Sequence, residues 1–197
     1  MKRVAVFASG RGSNLSALLR DQAAYDSYRV ALVISNVPGS GALNLATEAS
    51  IEALLIPSRG IERSTHESLV LAALQSRSID IVCLAGYMRV LGSAFIDGFK
   101  KPILNIHPSL LPSFPGMHAQ KQAVDAGVRW SGATVHFVDG GLDSGPIILQ
   151  EPVEVCAEDD EDRLSSRILQ AEHQIYPRAL DIVARGVYRL QGRVVRF

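Results

Sequence analysis

The sequence predicts an α/β protein built on a doubly wound, mostly parallel sheet flanked by helices. Three observations predict it. Near-continuous apolar runs recur at Val4 to Ala8, Val30 to Ile34, Ile79 to Ala85 and Ile103 to Ile106. Such runs mark strands buried on both faces, as in parallel sheets. Stretches with helical spacing separate the first of them, and polar or glycine-rich segments follow their C-terminal ends, where open α/β sheets place ligands.

The 197 residues suit one domain, 1–197, with 47% hydrophobic and 20% charged residues. That composition fits a compact globule and excludes a disordered chain. Twenty basic residues balance twenty acidic ones. A neutral chain without a basic block lacks the footprint of a nucleic-acid binder, yet leaves room for a local anion site. Cys83 lies in an apolar run, Cys156 is distant, and no CxxC spacing occurs. Neither a zinc site, a redox pair nor a disulfide framework is indicated, which points to a reducing cytoplasm. Met1-Lys2-Arg3 leads directly into Val4-Ala5-Val6-Phe7, too short an apolar run for a signal sequence or membrane span.

After the first strand, Ser9-Gly10-Arg11-Gly12-Ser13-Asn14 precedes a helix-like Leu15 to Arg20. Strand, glycine loop and helix start form a phosphate cradle: glycines admit the anion, and N–H groups of the helix N-terminus point at it. The Walker pattern is absent. The dinucleotide fingerprint is incomplete, because Leu15 replaces a small residue and the strand ending at Ser35-Asn36 lacks a ribose-holding acid. A single phosphate therefore fits better than NAD; a plain βα turn with a serine-type cap is the bland alternative.

Ser35 to Gly41 is a loop, Ala42 to Ala49 a helix, Ile51 to Ile56 a short strand, and Ser58 to Arg63 a second polar loop. Arg63 is either a surface residue or an anion contact. The next helix begins near Ser64 or Thr65 and runs to about Arg77, with Glu67 placed for a capping box. Beyond the strand Ile79 to Ala85, Gly86-Tyr87-Met88-Arg89-Val90-Leu91 either lines a pocket for a flat ring system or packs on the core.

Lys101 to Pro112 reads as a buried strand that stops abruptly. Asn105 and His107 lie two apart, hence on one face, before Pro108 ends the run. A proline-fixed loop follows to Gly116. His118 to Ala126 is helical, and Gly132 to Val138 alternates as a strand with Thr134 and His136 on one face. Asp139 to Pro146 is a tight glycine-rich loop. Ile147 to Gln150 and Val153 to Val155 suggest a strand pair around Pro152. Glu161 to about Arg185 is a helix interrupted at Pro177, and Val187 to Phe197 a hairpin turning at Gln191-Gly192.

Asn105, His107 and Asp143 make a chemical set. A carboxylate beside an imidazole favours its charged form, so the ring can give and take protons near neutrality. An amide donates to an oxygen turning negative in a tetrahedral intermediate. No serine or cysteine nucleophile sits in a matching turn. The set suits direct attack of one bound substrate on the carbonyl of another, one of them phosphorylated.

Asn105-Ile106-His107-Pro108-Ser109-Leu110-Leu111-Pro112, then Pro115-Gly116 and Gly132 to Gly145 ending Leu142-Asp143-Ser144-Gly145-Pro146, resemble the folate-dependent formyltransferase family. Ser9 to Leu15 resembles its purine-synthesis branch. The resemblance covers essentially the whole chain and implies a formyltransferase-like variant of the Rossmann arrangement. It implies a formyl donor, 10-formyltetrahydrofolate as co-substrate, and an acceptor amine on 5-phosphoribosylglycinamide, with no metal. Asn105 would stabilise the oxyanion and contact the donor, His107 would be general acid, and Asp143 would raise the histidine's pKa. Gly12, Ser13 and Asn14 would hold the phosphate, and Glu172 the acceptor's ribose or glycinamide. Arg63, Met88, Arg89, Val90 and Leu91 would bind the folate, and His136 would support rather than catalyse.

Residues 1–100 would form the phosphate-binding half and 101–197 the catalytic and folate-binding half. Partners would be the two small molecules, with a homodimer as the assembly entertained and neither nucleic acid nor membrane. Gly140 departs from the acidic residue the family often carries there. Rival readings are a transfer-RNA formylating relative, which needs a further basic C-terminal domain; a formyltetrahydrofolate hydrolase, usually with an extra N-terminal domain; and a non-catalytic nucleotide-binding module.

Overall fold

The computed structural model describes residues 1–197. The chain divides into two compact units, Met1–Leu104 and Asn105–Phe197. The first contains β1 (Lys2–Phe7), α1 (Ser13–Tyr25), β2 (Tyr28–Ser35), α2 (Gly41–Glu48), β3 (Glu52–Leu55), α3 (Arg63–Ser76), β4 (Ile81–Leu84) and α4 (Ser93–Phe99). Its strands lie in the order β3-β2-β1-β4, and every pair is parallel. Val4, Ala5, Val6, Phe7, Leu32, Val33 and Ile34 are fully buried, as a strand with neighbours on both sides and cover on both faces must be. The strand order turns round between β1 and β4. Such a reversal opens a crevice at the carboxyl ends of the two strands.

β5 (Ile103–His107) carries the chain into the second unit, which continues through α5 (Ala119–Asp125), β6 (Trp130–Phe137), β7 (Ile147–Glu154), α6 (Glu161–Arg185), β8 (Arg189–Gln191) and β9 (Val194–Arg196). The strands follow as β5-β6-β7-β9-β8. β6 and β7 are antiparallel, β7 and β9 parallel, and β8 and β9 antiparallel. The fold class is α/β with mostly parallel strand pairs, as the apolar runs predict.

Three elements differ from the sequence reading. The expected pair around Pro152 is the single strand β7. Pro152 stands opposite Gly132, whose missing side chain lets the β7 backbone approach; a Cβ there would lie 2.1 Å from the Glu151 carbonyl. Pro177 does not interrupt α6, which runs through it. An interior proline costs about 3 kcal/mol. Burial of Tyr176, Ala179, Leu180 and Val183 around it offsets that, because α6 packs along β6 and β7. Helix α4 is an addition: its seven residues are too few to declare a period. No helix is long and apolar enough to cross a membrane.

Helix α6 has a defined start and end. The Asp160 carboxylate accepts from the Arg163 N–H at 2.8 Å, Glu161 and Asp162 occupy the first turn, and Gly186 ends the helix at φ 68°. Asp160→Ala is expected to destabilise the protein by about 1 kcal/mol. A lower urea midpoint in the helical circular dichroism signal, with native secondary structure retained, checks it.

Candidate active site

Where the second unit begins, the end of β5 carries Asn105 and His107 on one face by simple alternation; Ile106 between them is buried, and so is His107. Asp143 arrives from the loop joining β6 to β7. That loop closes tightly: the Ser144 hydroxyl donates to Asp139 Oδ1 at 2.6 Å, and the Gly141 N–H donates to the same oxygen at 3.0 Å. At Gly145 a Cβ would stand 1.7 Å from the Phe137 carbonyl, so only glycine passes. Asp143 itself takes a left-handed backbone, φ 49°, a conformation that aspartate tolerates better than most residues.

The Asp143 carboxylate gathers the site. Oδ2 lies 3.3 Å from His107 Nδ1 and accepts from the Gly116 N–H at 2.8 Å. Oδ1 accepts from Asn105 Nδ2 at 3.5 Å and lies 3.7 Å from His136 Nε2. Burial works to raise its pKa; the hydrogen bond from the Gly116 N–H, with the neighbouring charge of His107, outweighs burial and holds it below the usual carboxylate value. At 3.7 Å the His136 contact is long for a hydrogen bond, so the Gly116 N–H is the firmer support.

The donors and acceptors fix the imidazoles. His136 Nδ1 faces the Phe137 carbonyl at 2.8 Å and donates to it, because a carbonyl can only accept. In that tautomer Nε2 accepts from Asn105 Nδ2 at 3.2 Å. The asparagine amide nitrogen is thereby turned toward the cluster. His107 Nε2 donates to the Phe114 carbonyl at 2.8 Å, and Nδ1 faces the carboxylate. Both nitrogens of that ring meet acceptors, a geometry satisfied at both ends when both carry protons.

A network centred on the buried Thr134 holds the loop after His107. Thr134 Oγ1 donates to the Ser109 carbonyl at 2.6 Å and accepts from the Leu111 N–H at 3.1 Å and Gln150 Nε2 at 3.0 Å. Gln150 also donates to the Leu111 carbonyl at 2.9 Å. Sequence reading missed the roles of Thr134, Gln150, Gly116 and the Phe114 carbonyl. Only the shared face of Thr134 and His136 hinted at the first. Glu172 is buried on α6.

In the first unit, Gly12 sits just before α1 at φ 87°, and a Cβ there would meet Leu45 Cδ1 at 2.9 Å and Ala42 Cα at 3.0 Å. Glycine is required twice over, by dihedral and by space. The first helical bond runs from Ser16 N–H to the Gly12 carbonyl at 2.9 Å, so the N–H groups ahead of it, around Ser13, point out of the helix end. An anion suits that place.

The Gly86 to Gly92 segment follows β4 in the same unit. Ser9 Oγ accepts from the Met88 N–H at 2.8 Å and donates to Asn36 Oδ1 at 2.6 Å; Asn36 Nδ2 donates to Ser58 Oγ at 2.9 Å. The ends of β1 to β4 are thus cross-linked. Arg89 donates to the Ser58 carbonyl at 3.0 Å, and Arg63 to the Val90 carbonyl at 2.5 Å. Met88 and Val90 remain 73% and 61% exposed. The expected capping box fails: Glu62 caps α3 by accepting from the Ser64 N–H at 2.9 Å, while Glu67 reaches Arg63 and the Gly92 N–H. His66 is buried, donates from Nδ1 to the Pro57 carbonyl at 3.2 Å and accepts from the Tyr87 hydroxyl at 2.8 Å. Burial pushes the Tyr87 hydroxyl up to about 12.

Comparison with known proteins gives a consistent result. The family model described as formyl transferase matches residues 2–180. The trifunctional purine biosynthetic protein adenosine-3 of Drosophila melanogaster is 48% identical over 98% of this chain, which spans 15% of that protein's length. The phosphoribosylglycinamide formyltransferase of Bacillus subtilis is 38% identical over 90% of this chain and 92% of its own. Among solved structures, glycinamide ribonucleotide transformylase 1 from Symbiobacterium toebii superposes with a TM-score of 0.97 at 43% identity, covering 100% of this chain and 94% of that one.

His66 gives the first unit a defined acid response. Burial lowers its pKa below 6.5; the Arg89 charge adds to this, and the Pro57 hydrogen bond and Glu67 charge oppose it. The unfolded chain therefore takes up this proton first, so the contribution is complete above about pH 6.5 and is lost as pH falls below it. His66→Gln is expected to flatten the fall in urea midpoint just below pH 6.5. The steeper loss below the ordinary aspartate value of 3.8, where Asp143 protonates, stays in both proteins.

Proposed function

The chain belongs to the formyl transferase family, and we propose that it transfers the formyl group of 10-formyltetrahydrofolate to the amine of 5-phosphoribosylglycinamide. The reading rests above all on one observation: a single carboxylate, Asp143, touches both the proton-carrying ring of His107 and the amide of Asn105. It makes the protein a phosphoribosylglycinamide formyltransferase, a one-carbon transferase of purine synthesis.

The acceptor amine attacks the formyl carbon, and the carbonyl oxygen becomes the negative oxygen of a tetrahedral intermediate. The Asn105 amide donates to that oxygen, giving up for it the long 3.5 Å bond to Asp143. His107 gives the proton on Nε2, released from the Phe114 carbonyl, to the folate nitrogen as its bond to carbon breaks, and the proton shed by the attacking amine restores that nitrogen. Asp143 holds the ring in place throughout. Gly12, Ser13 and Asn14 hold the ribose phosphate at the start of α1. Glu172 contacts the acceptor's ribose or glycinamide. Arg63, Met88, Arg89, Val90 and Leu91 receive the folate, with Asn105 as a further contact. Residues 1–100 are the phosphate-binding half and 101–197 the catalytic half. The two free cysteines, Cys83 and Cys156, suit a reducing cytoplasm.

The direct test is release of folate product from 10-formyltetrahydrofolate, followed by absorbance, with and without 5-phosphoribosylglycinamide. Acceptor-dependent release is expected. Release without acceptor would make the protein a hydrolase. His107→Ala and Asp143→Asn are each expected to lower turnover by about 10²- to 10⁴-fold with the fold intact. Undiminished turnover in either variant contradicts the roles given.

A further inference from the structure

We propose that Glu67 is a positioning residue for the donor, setting the shape of the Tyr87 to Gly92 segment. The donor part of this inference rests on the folate role proposed for that segment.

Glu67 lies within the second turn of α3, and its carboxylate is 8% exposed. A buried carboxylate is costly unless its oxygens are matched by donors. Here Oε1 accepts twice, from Arg63 Nε at 3.2 Å and from the Gly92 N–H at 2.8 Å. Gly92 is the residue just before α4 and has no side chain with which to cap it. The Glu67 carboxylate supplies from a distance the negative charge that a helix start favours. The approach is close: a Cβ at Gly92 would stand 3.1 Å and 3.3 Å from the two carboxylate oxygens.

Neighbouring groups on α3 complete the grip. The Arg63 guanidinium, held by Glu67 through Nε, donates its other arm to the Val90 carbonyl. His66 accepts from the Tyr87 hydroxyl. One helix therefore fastens the segment at its beginning, middle and end. The apolar side chains of Met88 and Val90 stand out to solvent between the fastenings. An exposed apolar shelf of this kind keeps its shape only if its backbone is tied down, and Glu67 makes the tie at its far end while orienting Arg63. Glu67 touches no reacting group, so its removal acts on donor binding and leaves the chemical step alone.

The test compares Glu67→Ala with Glu67→Gln, whose amide oxygen still accepts from the Gly92 N–H. Two readouts are taken: amide hydrogen exchange over residues 87–92, and steady-state formyl transfer. Glu67→Ala is expected to speed exchange in that segment and to raise the KM for 10-formyltetrahydrofolate about tenfold, the worth of one charge-assisted hydrogen bond. The kcat and the KM for the acceptor stay near the parent values, and Glu67→Gln recovers most of both effects. Unchanged exchange in Glu67→Ala overturns the inference whatever the reaction proves to be. Faster exchange with an unchanged donor KM also overturns it, since the segment then does not serve the donor. Absence of formyl transfer in the parent protein would instead refute the proposed reaction, and the exchange result would still report on the tie.

Discussion

The second unit is shaped by what it takes to keep one carboxylate charged while nearly buried. The Asp143 side chain is 11% exposed and ionised, so it needs donors on both oxygens. It obtains them from the Gly116 N–H, the His107 ring and the Asn105 amide. Each donor constrains a different stretch of chain. Gly116 brings in the proline-fixed loop, whose Phe114 carbonyl closes on the far side of His107. Asn105 and His107 must share a face, which only an extended strand provides at a spacing of two. The aspartate must leave the β6–β7 turn in a left-handed conformation, which the close passages at Gly141 and Gly145 allow.

The first unit meets a different constraint, the closure of a parallel sheet's carboxyl edge. Parallel strands end together, and their last polar groups need partners that no ladder supplies. Ser9, Asn36 and Ser58 provide a chain of side-chain hydrogen bonds from β1 across to β3, and the Met88 N–H ties β4 into it. The edge is thereby stiff, although the segment beyond β4 leaves Met88 and Val90 in water. Stiff backbone carrying exposed apolar groups is what a flat organic ligand needs, since little ordering remains to be done on binding.

Much of this was legible in the chain. Runs of buried strand, the glycine turn before α1, and the two-residue spacing of Asn105 and His107 are local patterns, and the structure keeps each of them. The failures are equally local in origin. Glu67 at three residues beyond Ser64 looks like half of a capping box, yet the gain from meeting Gly92 exceeds the gain from the local bond. Pro177 looks like a break, yet α6 continues because its buried face outweighs one missing hydrogen bond. Pro152 looks like the edge of two strands, yet Gly132 opposite makes room for one.

By itself the sequence determined the fold class, the strand that carries Asn105 and His107, and the family to which the chain belongs. These depend on periodicity and motif, which are written in neighbouring residues. Only the tertiary structure decided that Gly116, the Phe114 carbonyl and His136 govern how those side chains are held, and that α3 fastens the segment after β4. Such contacts join residues 7 to 38 positions apart within the site and 21 to 27 apart along α3 and that segment. No local pattern encodes them, because the partner of a buried polar group is chosen by whichever donor or acceptor the folded chain brings within reach.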